Sequence, residues 1–218
     1  MNRALIAFEG IDGSGKSTQI RRLNEYLCAK GYRTCLTAEP TNGVYGREIR
    51  NANPRLDPIT ERKLFLQDRK EHLSTLILPA LAQQKIVLTD RYFYSSIAYQ
   101  GTRRDAFAEA LTADELERER RRLQEEIERE NRAVAPDADL WVFMRISPKL
   151  ALERIDAGRE TRDPFEALQN LIDVADAFER MAAKHSNVLI LDAAQSPEAI
   201  FEQLRARIEA FLAAFCIS

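Results

Sequence analysis

The chain has 218 residues, enough to bury a hydrophobic core, and we expect it to form a single domain. Apolar residues make up 45% of it and charged residues 30%, and the net charge of −2 gives no general attraction to nucleic acid or to an anionic membrane. Cys28, Cys35 and Cys216 form no C-x-x-C pair, which argues against a disulfide scaffold and a zinc site. Because the sequence runs almost directly into its first apolar run, we expect no signal peptide, and no stretch reaches membrane-spanning length. We therefore expect a cytoplasmic protein with no nucleic-acid and no membrane partner.

In chain order, five short apolar runs alternate with helical stretches. The runs predict buried strands at 5–8, 33–38, 86–89, 140–146 and 188–191, and helices are predicted near 16–30, 59–83, 91–100, 148–157, 165–184 and 197–214. This alternation predicts an α/β fold, in which helices cover both faces of an open parallel sheet as a three-layer α/β/α arrangement. Ligands of such sheets bind beyond the carboxyl ends of the strands, so we expect the functional residues there.

The loop after the first strand carries the most informative motif of the sequence. It fits the pattern G-x-x-x-x-G-K-[S/T] with Gly10, Ile11, Asp12, Gly13, Ser14, Gly15, Lys16 and Ser17, and Thr18 follows. Glycines let successive backbone N–H groups curl around a polyphosphate, and the next helix adds its positive dipole end. Lys16 supplies a positive charge for the terminal phosphates, and the Ser17 hydroxyl is suited to ligate Mg²⁺. The motif predicts that the chain binds a nucleoside triphosphate.

Charged residues follow the third predicted strand. Asp90 ends that strand, where P-loop enzymes hold Mg²⁺ through water, and Arg91 is placed to clamp a phosphate. A structural Asp–Arg pair that caps the next helix is the alternative. Within the phosphate loop, Asp12 carries a charge that repels phosphate, so we expect it to face a hydroxyl of a second substrate.

The helix predicted near 59–83 places Phe65, Arg69 and His72 on one face. An aromatic ring one turn from an arginine can stack on a flat base while the arginine bonds the base edge. The alternative is that Phe65 belongs to the hydrophobic core. His72 stands in no nucleophile or metal pattern, and we assign it no catalytic role.

Two later segments are open to two interpretations each. Arg159 and Arg162 lie between two predicted helices and suit either a mobile lid that closes over transferring phosphates or a polar surface loop. Residues 113–132 are rich in Glu and Arg, with i,i+4 pairs such as Glu117 and Arg121. That pattern predicts a solvated surface helix, and a helix that binds a partner protein is the alternative.

Together these motifs resemble the thymidylate kinase family of P-loop nucleoside monophosphate kinases. In the family's order, the matching runs are the phosphate loop with Phe8 and Glu9 before it, Glu39-Pro40-Thr41, Phe65-Leu66-Gln67-Asp68-Arg69 with His72, Asp90-Arg91-Tyr92, Ser95-Ser96-Ile97-Ala98-Tyr99-Gln100-Gly101, and Pro136-Asp137. The resemblance extends over nearly the whole chain, and Ala98-Tyr99-Gln100-Gly101 is its most specific part.

The resemblance implies a five-stranded parallel sheet in the order 2-3-1-4-5 and Mg²⁺-dependent transfer of the γ-phosphoryl group of ATP to dTMP, which gives dTDP and ADP. It places ATP on residues 10–18, with Mg²⁺ near Ser17 and, through water, Asp90.

For dTMP the resemblance implies a role for each matching position. Phe65 stacks on thymine, Arg69 bonds its exocyclic oxygen, and Ser95 and Gln100 line the base edge. Tyr99 lies under the deoxyribose, Asp12 contacts the 3′-hydroxyl and Arg91 holds the monophosphate. A homodimer is also implied.

Some family members carry a basic residue inside the phosphate loop, and others place it in the lid. This chain has Gly13 and Ser14 in the loop and resembles the second type. The resemblance therefore adds Arg159 and Arg162 to Lys16 and Arg91 as catalytic residues, in a lid at about 157–165.

The sequence departs from the family pattern in two places. Arg145, at the end of the fourth predicted strand, replaces an acid that the family usually has there, reversing a charge beneath the nucleotide site. The stretch from Gly101 to Pro136 is longer than usual, which implies a charged helical insertion at about 105–134. A related kinase with a different nucleotide or nucleoside acceptor, and a non-catalytic P-loop nucleotide-binding module, therefore stay open as alternatives.

Overall fold

The computed structural model describes residues 3–158 and 168–215. Five strands form one parallel sheet: β1 (Ala4–Glu9), β2 (Thr34–Ala38), β3 (Ile86–Asp90), β4 (Leu140–Arg145) and β5 (Val188–Asp192). Their order in the sheet is β2-β3-β1-β4-β5, so the predicted fold class and strand order are confirmed. The register pairs Phe8 with Asp90, which brings the phosphate loop and the end of β3 to the same edge of the sheet.

Helices lie between the strands. They are α1 (Lys16–Ala29), α2 (Val44–Asn51), α3 (Pro58–His72), α4 (Leu78–Ala82), α5 (Phe93–Gln100), α6 (Ala113–Arg132), α7 (Pro148–Gly158), α8 (Leu168–Ala182) and α9 (Pro197–Phe215), with a π-helical segment at Leu73–Ile77 and a 3-10 turn at Arg104–Ala106. Across the described residues, no helix has the length and apolar character needed to cross a membrane.

The centre of the sheet is fully buried because helices cover both of its faces. All six residues of β1 are buried, whereas the edge strands β2 and β5 leave Leu36 and Ile190 partly exposed. On β4, the Trp141 ring stacks on Tyr94 of α5 with ring centroids 4.8 Å apart. These contacts fix α5, which carries several predicted site residues, against the sheet.

The helix predicted at 59–83 consists of three pieces, α3, the π-helical segment and α4. Its start follows from local chemistry: Asp57 accepts hydrogen bonds from the backbone N–H groups of Ile59 and Thr60, and Pro58 occupies the first turn. The π segment changes the helical phase between the residues that face the site and those that face the core.

Helix α6 is the charged helix predicted at 113–132. A capping box between Thr112 and Glu115 starts it. One face is attached to the body of the protein, because Arg62 of α3 bonds Glu126 and Glu130 of α6. A Cβ on Gly101 would lie 2.5 Å from Cγ of Gln124, so the end of α5 approaches α6 where only glycine fits. The helix is therefore solvated on one side and packed on the other.

Candidate active site

The phosphate loop connects β1 to α1. Gly10, Gly13 and Gly15 have φ angles of 136°, 78° and 86°, which L-residues rarely adopt. A Cβ on Gly13 would lie 2.4 Å from the carbonyl oxygen of Ala151 in α7, so this position requires glycine for space as well as for conformation. The loop is held in the shape that phosphate loops use to direct N–H groups at an anion.

Lys16 is buried and its side chain folds back over this loop. Its Nζ donates to the carbonyl oxygens of Gly10 at 3.0 Å and Ile11 at 2.9 Å. Burial, with the nearby positive charge of Arg91, lowers the pKa of Lys16 to about 8. An anion beside the ammonium group would stabilise its charged form, which is the role predicted for a triphosphate.

Ser17 and Asp90 meet across the loop. The Ser17 Oγ donates to Oδ2 of Asp90 at 2.6 Å, in a cavity of about 360 Å³ that Lys16 and Arg91 also line. Among the described residues, no group of three or more His, Cys, Asp or Glu side chains is arranged to hold a metal ion. A hydroxyl with one carboxylate nevertheless fits Mg²⁺, which commonly takes one or two carboxylates and completes its shell with phosphate and water.

Arg91 lies at the centre of the crevice with φ 72°, an unusual value for a residue other than glycine. Its Nη2 donates to Oδ1 of Asp12 at 2.6 Å and to the Tyr99 hydroxyl at 3.1 Å, and its Nη1 donates to Oγ of Ser95 at 2.9 Å. The guanidinium also lies over the Tyr99 ring, 4.7 Å from its centroid. The structure therefore brings together four of the residues predicted to bind the acceptor.

Glu9, the last residue of β1, bonds the same Ser95 hydroxyl as Arg91, and the sequence predicted no separate role for it. Its fully buried carboxylate accepts from the Tyr92 N–H at 2.8 Å and from the Ser95 hydroxyl at 2.5 Å. Burial raises the pKa of Glu9 to about 7 against the opposing effects of Ser95 and Arg91. An acid at the end of an otherwise apolar strand was the sequence signal for this residue.

On the other side of the crevice, Arg69 and His72 of α3 bind the buried carboxylate of Glu39. Arg69 Nε lies 3.0 Å from Glu39 Oε2, and His72 Nδ1 lies 3.0 Å from Oε1. Burial raises the pKa of Glu39, but Arg69 and His72 outweigh it, so the pKa lies below its ordinary value. Arg69 also donates to Asn131 of α6 and to Ser96 of α5, which fixes its side chain.

Phe65 is half-buried and lies on α3 one turn from Arg69. One turn in the other direction, buried Glu61 binds Arg55 and Arg103 and accepts from Nε2 of Gln100 at 3.5 Å. Neither Glu61 nor Arg103 was predicted from the sequence as a site residue. The spacing of Glu61, four residues before Phe65, was the available signal for the first, because it puts both on one face.

Arg159 and Arg162, with most of the predicted lid, lie outside the described residues. Arg145 extends from the end of β4 toward α8, where its Nε lies 2.6 Å from Oε1 of Glu179 and both side chains are about half exposed. Its charge is therefore paired at the surface, and the predicted charge reversal beneath the nucleotide site is compensated by Glu179.

A phosphate loop on β1, with a cation and a carboxylate at the end of the adjacent β3, defines a P-loop nucleotide kinase in a sheet of this order. A family model described as thymidylate kinase matches residues 8–204. The chain therefore belongs to the thymidylate kinase family.

Individual relatives agree with the family model. The chain is 39% identical over 213 residues to "Thymidylate kinase" from Xanthomonas euvesicatoria pv. vesicatoria (strain 85-10), which covers 96% of this chain and 84% of that protein. It is 37% identical over 208 residues to "Probable thymidylate kinase" from Archaeoglobus fulgidus, covering 95% of this chain and 96% of the relative. A "Thymidylate kinase" from Xanthomonas campestris pv. campestris (strain B100) is 36% identical over 213 residues, 96% of this chain and 84% of the relative.

Proposed function

We propose that the crevice around Arg91 is the active site of a dTMP kinase. The chain transfers the γ-phosphoryl group of ATP to dTMP and releases dTDP and ADP. The observation that carries this proposal is the position of Arg91, which lines the same cavity as Lys16 and Asp12 and bonds both Asp12 and Tyr99. An acceptor phosphate bound there lies beside the donor phosphates, as in-line transfer requires.

On the donor side, the backbone of residues 10–18 and Lys16 hold the triphosphate. Ser17 and, through water, Asp90 would hold Mg²⁺, which supplies charge neutralisation for the phosphates when it is bound. The short Ser17–Asp90 contact keeps the hydroxyl and the carboxylate on the same side of the loop.

On the acceptor side, Arg91 binds the monophosphate and Asp12 accepts from the 3′-hydroxyl. Tyr99 supports the deoxyribose, since its hydroxyl is already fixed by the backbone N–H of Asp12 at 3.2 Å. Ser95 is predicted at the base edge, but its hydroxyl bonds Arg91 and Glu9. We therefore propose that Ser95 also holds Arg91 in position to bind the monophosphate.

The base binds between Phe65, Arg69 and Gln100. Arg69 makes four hydrogen bonds, to Glu39, Ser96 and Asn131, and these use four of its five N–H donors. Among the described residues, the fifth donor has no hydrogen-bond acceptor. That donor is available for the exocyclic oxygen of thymine while Phe65 stacks on the ring.

The chemical step needs no general base in this site. A phosphate monoester has a second pKa of about 6, so dTMP is mostly a dianion at neutral pH and is already nucleophilic. Lys16 and Arg91 lower the charge repulsion between the two phosphates, and Arg159 and Arg162 of the lid add positive charge at the transferring group.

The remaining assignments concern organisation. We propose a single kinase domain with an insertion at about 105–134 and a lid at about 157–165, acting as a homodimer in the cytoplasm. The packing of α6 against α3 and α8 supports the insertion as an integral part of the domain.

The test is an ADP-release assay with Mg·ATP and a panel of acceptors: dTMP, dUMP, UMP, CMP, AMP, GMP and thymidine. We expect dTMP to give the highest kcat/KM. A higher value with another acceptor would contradict the assignment, and no turnover with any of them would favour a nucleotide-binding module.

A further inference from the structure

A second cluster of charged side chains lies near the start of α3, where Glu61 bonds the Gln100 side chain. It consists of Arg55, Glu61, Arg103 and Asp105, and we call it the Glu61 cluster. Glu61 and Arg103 are buried, whereas the Asp105 side chain is 60% exposed. None of these four residues has a role in the proposed transfer reaction.

The carboxylate of Glu61 accepts hydrogen bonds only. Arg55 donates to it through Nε and Nη2, both at 3.0 Å, and Arg103 donates to it through Nη1. Between two guanidinium groups the carboxylate is an anion without a proton to donate. The group that faces Glu61 must therefore be a donor.

That group is the side-chain amide of Gln100, whose Nε2 lies 3.5 Å from Oε1 of Glu61. The opposite orientation would set the amide oxygen against an anion. The amide oxygen Oε1 consequently points away from Glu61, and it is buried without a hydrogen-bond partner among the described residues. A buried unsatisfied acceptor is costly, and a ligand that brings an N–H donor removes that cost.

The position of Gln100 relative to Phe65 indicates which ligand brings the donor. Helices α3 and α5 touch at Glu61 with Gln100 and at Arg69 with Ser96, and Phe65 lies one turn from each contact on α3. A base stacked on Phe65 therefore lies between Arg69, which offers an N–H, and Gln100, which offers an acceptor oxygen.

We infer that Glu61 is a specificity-determining positioning residue: it fixes the Gln100 amide so that its oxygen selects acceptor bases with an N–H at ring position 3. Thymine and uracil carry that N–H between two carbonyl oxygens, whereas cytosine has a lone pair there. The inference rests on the proposed function, because it assumes that the acceptor base stacks on Phe65.

The test compares dissociation constants of dTMP, dUMP and dCMP, measured by calorimetry without ATP, for the wild type and Glu61→Gln. A glutamine at this position can donate or accept, so the Gln100 amide is free to turn. We expect the ratio of the dCMP to the dTMP dissociation constant to fall by about tenfold, with the ratio of dUMP to dTMP unchanged. The mismatch of cytosine N4 with Arg69 is the same in both proteins and cancels.

Asp105→Asn is the matched control. Asp105 binds the same Arg103, at 2.7 Å, but shares no hydrogen bond with Gln100, so its substitution removes an anion from the cluster without freeing the amide. We expect this variant to keep the wild-type ratio. If thermal melting shows that Glu61→Gln is unfolded, the charge-matched Glu61→Gln/Arg55→Gln double variant carries the same test.

An unchanged ratio of the dCMP to the dTMP dissociation constant in the folded Glu61 variant would overturn the inference. An equal fall of this ratio in Asp105→Asn would also overturn it, as would equal binding of dTMP and dCMP by the wild type. Because binding is measured without transfer, these outcomes are separate from the proposed function. A wild type that prefers dTMP in binding but releases no ADP would contradict the kinase assignment and leave the comparison of ratios in force.

Discussion

The phosphate side and the base side of the crevice are held together differently. On the phosphate side, the ion pair of Arg91 with Asp12 is partly exposed, at 18% and 31% of the two side chains. On the base side, the ion pair of Arg69 with Glu39 is almost completely buried, at 1% and 2%. Ligand phosphates can replace contacts of the first kind, whereas contacts of the second kind persist when the base binds. Substitutions should therefore cost mainly activity on the phosphate side and mainly stability on the base side.

The largest effect is expected at Lys16. Lys16→Ala removes the cation that faces the transferring phosphate, so we expect kcat to fall by about 10²- to 10³-fold in the ADP-release assay. The variant should keep its melting temperature within a few degrees, because the bonds of the lysine stay within the phosphate loop, to the carbonyls of Gly10 and Ile11 and the hydroxyl of Ser14. Lys30→Ala, at the exposed end of the same helix, is the control and should retain activity. Substantial turnover by the Lys16 variant would contradict the role given to this residue.

The difference between the phosphate side and the base side also explains which site residues can be predicted from the sequence alone. The phosphate loop, Asp90 and Arg91 are recognisable because their function follows from residues adjacent in sequence after a strand. The base side depends on contacts between distant segments: Glu39 follows β2, Arg69 lies on α3 and Asn131 lies in the last turn of α6. The charge pattern of α6 predicts a helix, but it does not reveal which residue reaches Arg69.

On the base side, Glu39→Gln should show the largest loss of stability. Removing the charge leaves Arg69 buried without its anion, and the loss of one partner of a buried pair costs about 3–5 kcal/mol. Urea unfolding of the variant and the wild type measures this difference. Glu198→Gln, an exposed acid 3.6 Å from Arg22, is the control and should cost less than about 1 kcal/mol. An equal loss in the free energy of unfolding for the two substitutions would show that the buried pair of Arg69 and Glu39 stabilises the fold no more than an exposed pair does.

Glu9 belongs to the phosphate side, where it bonds Ser95, but its carboxylate is buried as deeply as that of Glu39. The pH dependence of the free energy of unfolding therefore tests whether a buried acid on the phosphate side also affects stability. The pKa of Glu9 rises from 4.5 to about 7 on folding, so between these values the folded state holds a proton that the unfolded state has released. The free energy of unfolding should therefore lose about 3 kcal/mol from this group as pH rises through that window. Glu9→Gln, which is neutral at every pH, should lack this loss.

Urea unfolding of both proteins from about pH 4 to pH 8 measures the difference. The advantage of Glu9→Gln over the wild type should grow as pH rises and become constant above about pH 7. A constant difference over the whole range would mean that Glu9 titrates alike in the folded and unfolded chain. Ser95→Ala is a useful companion, because it removes a hydrogen-bond donor to the Glu9 carboxylate and should raise its pKa further.

The smallest effect is expected at Arg145, although this residue is the most evident departure from the family pattern. Its guanidinium binds Glu179 on α8 with both side chains about half exposed, and such surface pairs contribute about 0–1 kcal/mol. A double-mutant cycle of Arg145→Ala and Glu179→Ala should give a coupling energy in that range, and kcat/KM for dTMP should change by less than about twofold, since salt screens an exposed charge that is already paired. A change of tenfold or more in kcat/KM would show that the charge acts on the nucleotide in spite of Glu179. The position of a charge, more than its presence in the sequence, decides whether it belongs to the phosphate side at all.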